Sequence, residues 1–429
     1  MYIHEHSNWT DFRWDYDKIA LILDDVSREQ GKLYGRLSNL GFKEQIRTTA
    51  ENIALDVVYS SEIEGIKFNV DEVRSSVSKR LGIDNVKQVH STHSIDAIVS
   101  VMLDAIEHYE RSLTKDKLCA WQSAFFTAPY SEGHRIEIGM YRTHEEHVVS
   151  GAFGREKVHF IAPGPNRIEE EMSHFMDWFN QDKPVPSIIR SAIAHFWFVT
   201  IHPFEDGNGR LARILGDVFL AKGEKSTLRF YNISSEINRD KKHYYEILEK
   251  TQRGDGDITE WLFWYLKTLY KAILNANVAV NTVLNKSLFW IRIAGIPLSE
   301  RQTNTINLFL DGYEAKITSK KWAEINDCSS DTANRDIKDL LEKGILCEDV
   351  PGAKRPSYSI VYVPLEDDIT QHFSDVEIQE EESGVYMVAL FEGRKQIHER
   401  ILKLDAERYN KGDLPLANLL NKYCSYLID

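Results

Sequence analysis

The chain has 429 residues, 42% of them apolar and 28% charged, with four cysteines and a formal net charge of −14 at pH 7. This is the composition of a soluble globular chain of two to four domains at about 100–200 residues each, and it excludes collagen-like and disordered classes. The acidic balance disfavours a general nucleic-acid binder, because neutralising phosphates takes clustered Lys and Arg. No run reaches the roughly 18 uninterrupted apolar residues of a membrane span; the nearest, Ser187 to Phe204, is broken by Arg190, His195 and His202. The opening residues, MYIHEHSNWTDFRWD, hold neither a basic nor an apolar leader region, so no secretory signal is expected. Cys119, Cys328, Cys347 and Cys424 lie far apart with no CxxC pair. Reduced thiols in a cytoplasmic chain are expected, with neither a disulfide framework nor a zinc knuckle.

In chain order, the first 85 or so residues read helical. Ile19, Leu21, Ile22, Leu23, Val26, Leu33 and Leu37 recur at helical spacing from Tyr16 to Leu40, ended by Asn39 and Gly41. A second helix is predicted from about Glu44 through Ser60-Ser61-Glu62-Ile63-Glu64, with Gly65 as its C-cap. After a short polar segment punctuated by Gly82, helical patterns cover Ser94 to Tyr109, Lys115 to Phe126 and Arg167 to Asn180. Between them, His147-Val148-Val149 and Lys157-Val158-His159-Phe160-Ile161 flank Gly151-Ala152-Phe153-Gly154, which predicts a β-hairpin. An apolar helix from Ile188 to about Thr200 runs into a glycine-bearing loop, and helices follow at Leu211 to Leu220, Arg239 to Gln252 and Ile258 to Leu284. Within these, His174 and His195 read as structural histidines, and the Trp-rich stretch from Trp261 to Tyr270 as core packing.

The loop and helix start at residues 202–213 carry the chemistry. A helix delivers His202, whose imidazole can take a proton near neutral pH. Gly207 and Gly209 allow backbone angles that aim successive N–H groups at one centre, and the helix opening near Arg210 adds a favourable partial charge, so the loop is an anion cradle. Asp206 beside it can hold Mg²⁺, which is bound by one or two carboxylates and phosphate oxygens. Arg210 and Arg213, three apart, share a helix face and can both reach phosphate. A base, a metal carboxylate, a cradle and two arginines describe a phosphate-transfer site. It is not a Walker A loop, because GxxxxGK[ST] occurs nowhere in the chain.

The segment closely resembles the signature of the Fic (filamentation induced by cAMP) family, HxFx(D/E)GNGRxxR, with His202, Phe204, Asp206, Gly207, Asn208, Gly209, Arg210 and Arg213 at the fixed positions. Gly139-Met140-Tyr141-Arg142 and the hairpin look like the family's entry strand and flap, and Trp9 to about Gly41 resembles a helical domain that precedes some Fic cores. The resemblance implies a mainly α fold, a Fic helical core with a small β-hairpin flap. It implies an enzyme that moves AMP from Mg²⁺-ATP to a Ser, Thr or Tyr hydroxyl of a target protein. Carried over, His202 is the general base and Asp206 the Mg²⁺ ligand. Gly207, Asn208 and Gly209 form the anion hole, Arg210 grips the β-phosphate and Arg213 the γ-phosphate. Phe204 anchors the loop, Glu205 belongs to the same ATP-binding segment, and Tyr244 and Tyr245 are candidates to face the nucleotide base. Ser60, Glu64 and Gly65 fit the family's inhibitory motif (S/T)xxxE(G/N). There Glu64 would pair with Arg213 and keep ATP from productive binding, so the wild type is expected to be weakly active; in some relatives the same glutamate supports removal of AMP. An extended target segment would pair with the open edge of the hairpin at 147–161. A homodimer is expected from the family alone.

Beyond about residue 296 the pattern changes. Helical stretches at Glu300 to Phe309, Ser319 to Ile325 and Asp331 to Lys343 precede two strand-like runs, Gly344-Ile345-Leu346 and Ser357 to Tyr362, which is a winged-helix pattern. Residues 296–365 hold nine Lys and Arg against eleven Asp and Glu. Protein docking or dimerisation is therefore preferred over DNA binding, which needs a basic surface. The last residues begin with the acidic run Glu380 to Glu382, a solvated face or linker, and contain one strand-like stretch, Val385 to Phe391, before a helical region. The expected domains are 1–85 (N-terminal helical, with the inhibitory helix), 86–285 (Fic core), 296–365 (winged-helix-like) and 366–429 (a tail of unknown role). Two alternatives stand beside AMP transfer: the same fold moving UMP, phosphate or phosphocholine, and a nucleotide-sensing regulator that binds DNA through the winged helix.

Overall fold

A computed structural model describes the chain apart from residues 39, 84–88, 132–133, 151–156, 362–371, 382–383, 392, 394, 415 and 425–429. It separates into two units, Met1–Tyr34 with Gly41–Ala276, and Gly35–Leu40 with Asn277–Asp429. The described residues are predominantly helical, with small antiparallel sheets.

In the first unit, α1 (Tyr16–Leu37) buries Ile19, Leu23, Val26 and Leu33 of the predicted stripe, whereas Leu21, counted with them, is 82% exposed. The next helix, α2 (Phe42–Ile63), buries Ile53, Ala54 and Val57 but also Asp56, Ser60 and Ser61. Side-chain caps start the following helices: Asn69 for α3 (Val70–Arg80), Thr92 for α4 (His93–Glu107) and Thr114 for α5 (Lys115–Ala124), each accepting an N–H of the first turn. Two antiparallel ribbons follow, β1 (Tyr130–Ser131) with β2 (His134–Arg135), and β3 (His147–Ser150) with β4 (Lys157–Ile161). The second is the expected hairpin; its predicted turn at 151–154 lies outside the described residues. Then come α6 (Ile168–Asn180), α7 (Ser187–Ile201), α8 (Asn208–Glu224), α9 (Ile233–Arg239), α10 (Lys241–Gln252) and α11 (Thr259–Arg292). Every side chain of α7 from Ile189 to Ile201 is buried, which makes it the central helix, and α8 packs along it.

The second unit contains α12 (Glu300–Leu310), α13 (Ser319–Asn326) and α14 (Ser330–Glu342), started by Ser299, Thr318 and Ser329 caps, and then β5 (Leu346–Glu348) paired with β6 (Tyr358–Ile360). Phe289, Ile306, Trp322, Ile337 and Leu340 fill their core. A three-stranded sheet follows, β7 (Phe373–Glu381), β8 (Gly384–Phe391) and β9 (Lys395–Ile401), in that order. Its apolar face packs with α15 (Lys403–Asn410) and α16 (Leu416–Cys424).

Several elements depart from the sequence reading. The polar stretch before Gly82 is α3, a short helix whose Val73 and Val77 alone are apolar and buried. A single helix expected from Arg239 is preceded by α9, whose Asn232 cap sits upstream of that start. Glu380 and Glu381 are the exposed end of β7, the solvated face of the two alternatives and not the linker. Among the described residues no helix is long and apolar enough to cross a membrane.

Candidate functional site

The site is built where α7 ends and α8 begins. His202 caps α7 in the left-handed conformation, φ 52° and ψ 57°. That costs about 1 kcal/mol or more for a residue with a Cβ, and it is held by the residues around it. Its Nδ1 lies 3.1 Å from the carbonyl of Val199. The Nδ1–H therefore donates to that carbonyl, and the lone pair is left on Nε2. Burial pushes the imidazole pKa down to about 4, with the Arg142 cation adding to the shift and Glu64 and Asp206 opposing it. His202 is thus a neutral acceptor across the physiological range.

The loop after it is locked by its own side chains. Asn208 accepts from the N–H of Phe204 (3.0 Å) and donates to its carbonyl (2.7 Å). Phe204 is fully buried against Tyr141 and Phe198. Gly207 caps α8 at φ 89°, and a Cβ there would press on Phe125 at 3.0 Å. The first-turn amides of α8, from Asn208 to Arg210, have no partners within the helix. Beside them Arg210 is buried over the rings of Phe125 and Phe126, its Nε and Nη2 without hydrogen-bond partners among the described residues. Burial pulls its pKa down. The carboxylate of Asp206, about a third exposed, stands 3.7 Å from Arg210. Buried guanidinium nitrogens without hydrogen bonds, next to open helix-terminal amides, are the chemistry of an anion site.

Arg213 is held by the helix that precedes the motif by some 150 residues. Its Nε donates to Ser60 Oγ (2.8 Å), and its Nη2 donates to the Ser60 carbonyl (2.8 Å) and to Glu64 Oε1 (2.6 Å). Burial lowers this guanidinium's pKa most strongly, but Glu64 together with Tyr244 and Tyr245 outweighs it and the net shift is upward. Glu64 Oε1 lies so close over Gly209 that a Cβ there would meet it at 2.1 Å. One turn further along, Asp56 shares a hydrogen bond with Asp217, both buried, and burial holds the pair's proton to higher pH than an ordinary carboxylate. The contacts form a ladder with four-residue steps on each helix: Asp56 with Asp217, Ser60 with Arg213, Glu64 with Gly209. The far end of α2 is fixed by two more bonds, Asn238 to Glu62 (3.1 Å) and Tyr245 Oη to the Ile63 carbonyl (3.3 Å).

A cleft of about 800 Å³ opens over this arrangement, lined among others by Glu64, Gly65, His202, Gly209, Tyr244 and Tyr245 and by the hairpin residues Val148 and Val149. Tyr244 is buried with its hydroxyl 2.9 Å from His195 Nε2, while Tyr245 is 40% exposed. Glu205 lies apart from the cleft wall: its carboxylate accepts the N–H of Glu137 (2.7 Å) and pairs with His144 (3.1 Å). His195 is fully buried, its pKa pushed down to about 3 by burial, as suits a structural histidine. Two residues support the loop: Gln122, which the sequence reading did not single out, and Arg142, which it quoted only within Gly139–Arg142 and without a role. Gln122 donates to the Asp206 carbonyl (3.1 Å) and accepts from Gly139 N (2.6 Å), and Arg142 ties down the carbonyl of His202 (2.7 Å).

Comparison with known proteins finds likenesses over two segments of the chain. The sequence model described as Fic/DOC family matches residues 112–220, and one described as a domain of unknown function, DUF4172, matches residues 2–83. The chain is 24% identical over 241 residues to a protein adenylyltransferase Fic of Nematostella vectensis, covering 54% of this chain and 51% of that protein. It is 28% identical over 216 residues to the protein of the same name from Aedes aegypti, covering 49% and 39%. The chain thus spans about half or less of the curated relatives it matches. Among solved structures, a Fic family protein from Desulfovibrio desulfuricans G20 aligns at TM-score 0.47 and 18% identity, over 80% of this chain and 95% of that one. Fic-1 from C. elegans aligns at TM-score 0.43 and 19% identity, over 62% and 74%. The likeness to the Fic family is thus carried by residues 112–220, which match the Fic/DOC model.

Proposed function

We propose that the chain is a self-restrained protein adenylyltransferase, moving AMP from ATP to a Ser, Thr or Tyr hydroxyl of a target protein. The observation that carries this reading is the pair of buried arginines opening α8, with nitrogens on Arg210 and on Arg213 that have no hydrogen-bond partner among the described residues, beside a neutral His202. This is a polyphosphate site with a base next to it, covered by the Glu64 carboxylate.

In the step so read, the target oxygen bonds to the α-phosphorus and its proton passes to Nε2 of His202. The bond from that phosphorus to the bridging oxygen breaks, and pyrophosphate leaves. Arg210 holds the β-phosphate and Arg213 the γ-phosphate, while the amides from Gly207 to Gly209 take up charge on the transferring group; such positioning and preorganised charge are the main sources of rate in this chemistry. Asp206 fits Mg²⁺, which accepts one carboxylate and fills its remaining positions with phosphate oxygens and water; when bound, the ion neutralises phosphate charge. With Glu64 on Arg213, the γ-phosphate meets an occupied guanidinium and a carboxylate of its own sign, so the wild type is slow. The exposed Val149 and Val158 of the hairpin suit an extended target segment paired along its edge. The three helices and two strands from α12 to β6 are read as a winged-helix module for protein docking, given their small acidic excess.

The test compares wild type and Glu64→Gly with Mg²⁺ and ATP labelled at the α- or the γ-phosphate. Label from the α-position alone, stronger in the variant and lost in His202→Ala, is the expected result. Label from the γ-position would instead make the chain a kinase, and none from either would favour another donor or the regulator reading.

A further inference from the structure

Arg142 lies outside the twelve-residue motif, yet its contacts converge on it. The side chain is 2% exposed. Its Nε donates to the His202 carbonyl (2.7 Å), Nη1 to that of His144 (2.8 Å), and Nη2 to those of Pro163 (2.6 Å) and Ile201 (3.4 Å), while its own backbone N–H donates to Pro203 (2.9 Å). Among the described residues no carboxylate forms an ion pair with it. A guanidinium buried against main-chain carbonyls alone is costly unless each donor is satisfied, and here the carbonyls come from three separate places. Ile201 and His202 are the open C-terminal carbonyls of α7, where a cation is favoured. His144 precedes β3, and Pro163 follows β4. One planar fork therefore joins the strained peptide of His202 to both roots of the hairpin.

We propose that Arg142 is a positioning residue that sets the register between His202 and a hydroxyl presented along the β3–β4 hairpin, an inference that rests on the transfer reading above. The left-handed turn at His202 keeps its angle because the Arg142 fork holds the carbonyl on its far side. The hairpin stays at a fixed height over the imidazole because the same fork holds its two ends. Lysine at this position keeps the charge but offers no planar set of donors, so it cannot serve His202, His144 and Pro163 together.

Arg142→Lys is made in the Glu64→Gly background, with Arg142→Met beside it to keep the apolar stem should lysine not fold. Self-labelling from α-labelled ATP is expected to fall on the order of 100-fold, the scale of an ångström's misplacement. ATP affinity by calorimetry should stay within about threefold, since ground-state binding is not what is lost. In parallel, NMR of ¹⁵N-labelled histidine reads His202 directly: the Nδ1–H bond to Val199 should weaken, while histidines remote from it, such as His108 and His174, keep their resonances. Unchanged His202 resonances would overturn the proposal whatever the activity, as would a loss of rate, nucleotide affinity and melting temperature together, which is what a merely structural residue gives. If the Glu64→Gly parent fails to label while His202 still shifts in the Arg142 variant, the transfer reading fails and the positioning role stands.

Discussion

Gly209 shows how much of this site is decided by a single missing methyl. Its absent Cβ is the space that Glu64 Oε1 fills, at 2.1 Å from where that carbon would stand, with Arg213 Nη1 at 3.3 Å. Gly209→Ala in the wild type must displace the carboxylate and is expected to cost roughly 1–3 kcal/mol, the usual range for overpacking. In the Glu64→Gly background most of that cost should vanish, because the atom it strikes is gone. Thermal unfolding of both single variants and the double variant closes the cycle; a penalty of the same size in both backgrounds would mean that Glu64 does not rest on Gly209. At this scale the sequence was most legible where partners are close in the chain. The motif from His202 to Arg213 is contiguous, and Ser60 and Glu64 stand one helical turn apart, so both could be read as units. Gln122 and Arg142 could not, because each acts on backbone 60 or more residues away, and no local pattern marks a side chain that bonds distant carbonyls.

Between elements, the α2–α8 contact is unusual in being polar where most helix pairs are apolar. Asp56, Ser60 and Glu64 step along one helix as Asp217, Arg213 and Gly209 step back along the other. The end of α2 explains why glycine follows the glutamate. The N–H of Ile66 donates to the Ser61 carbonyl (3.0 Å) and that of Gly65 to the Glu62 carbonyl (3.0 Å), with Gly65 at φ 83°. This is a Schellman closure with glycine in the left-handed position. Glu64 is its C-cap, so its direction is set by backbone hydrogen bonds. Gly65→Ala is expected to lower stability by about 1 kcal/mol and to raise self-labelling part of the way to Glu64→Gly. Gly65→Asn, which tolerates the same angle better, should do less of both. Equal effects from the two would separate the cap from the inhibition. The starts of α4, α5, α12, α13 and α14, each behind a Ser or Thr cap, were read within a residue, but those of α3 and α9, capped by Asn69 and Asn232, were not. The shortest helix, α9, and the outer strands β7 and β9 were missed, since their apolar positions are too few to display a period on their own.

For the molecule as a whole, buried titrating groups pull stability in opposite directions with pH. His195 and His202 are held neutral, with pKa values near 3 and 4 against an ordinary 6.5. The unfolded chain therefore binds protons that the folded one refuses. Their contribution is complete above about pH 6.5 and is lost as pH falls toward 4 and then 3. Asp56 and Asp217 act in reverse: raised above the usual carboxylate range, they favour the folded state at low pH, and that contribution fades as pH rises. Urea midpoints from pH 8 to pH 5 isolate the first effect through His195→Gln, which can still bond Tyr244. The variant should lose less stability on acidification than the wild type, by up to one proton's slope. Parallel curves would show that His195 is not kept neutral by burial. The division into two units is a further property of the whole: the sequence reading places a change of pattern beyond about residue 296, whereas the second unit resumes at Asn277 and also takes in Gly35–Leu40, early in the chain.

The cap at Gly65 has a consequence for how such a protein is tuned. Under the restraint proposed above, the resting rate would depend on how often Glu64 is out of place, and that frequency would be governed by one backbone angle at a position contributing no side chain. On that proposal, substitutions at 65 would act as a graded dial, shifting the fraction of time Arg213 is exposed while leaving the base, the cradle and both arginines in place, so that background activity could be reset without rebuilding the chemistry.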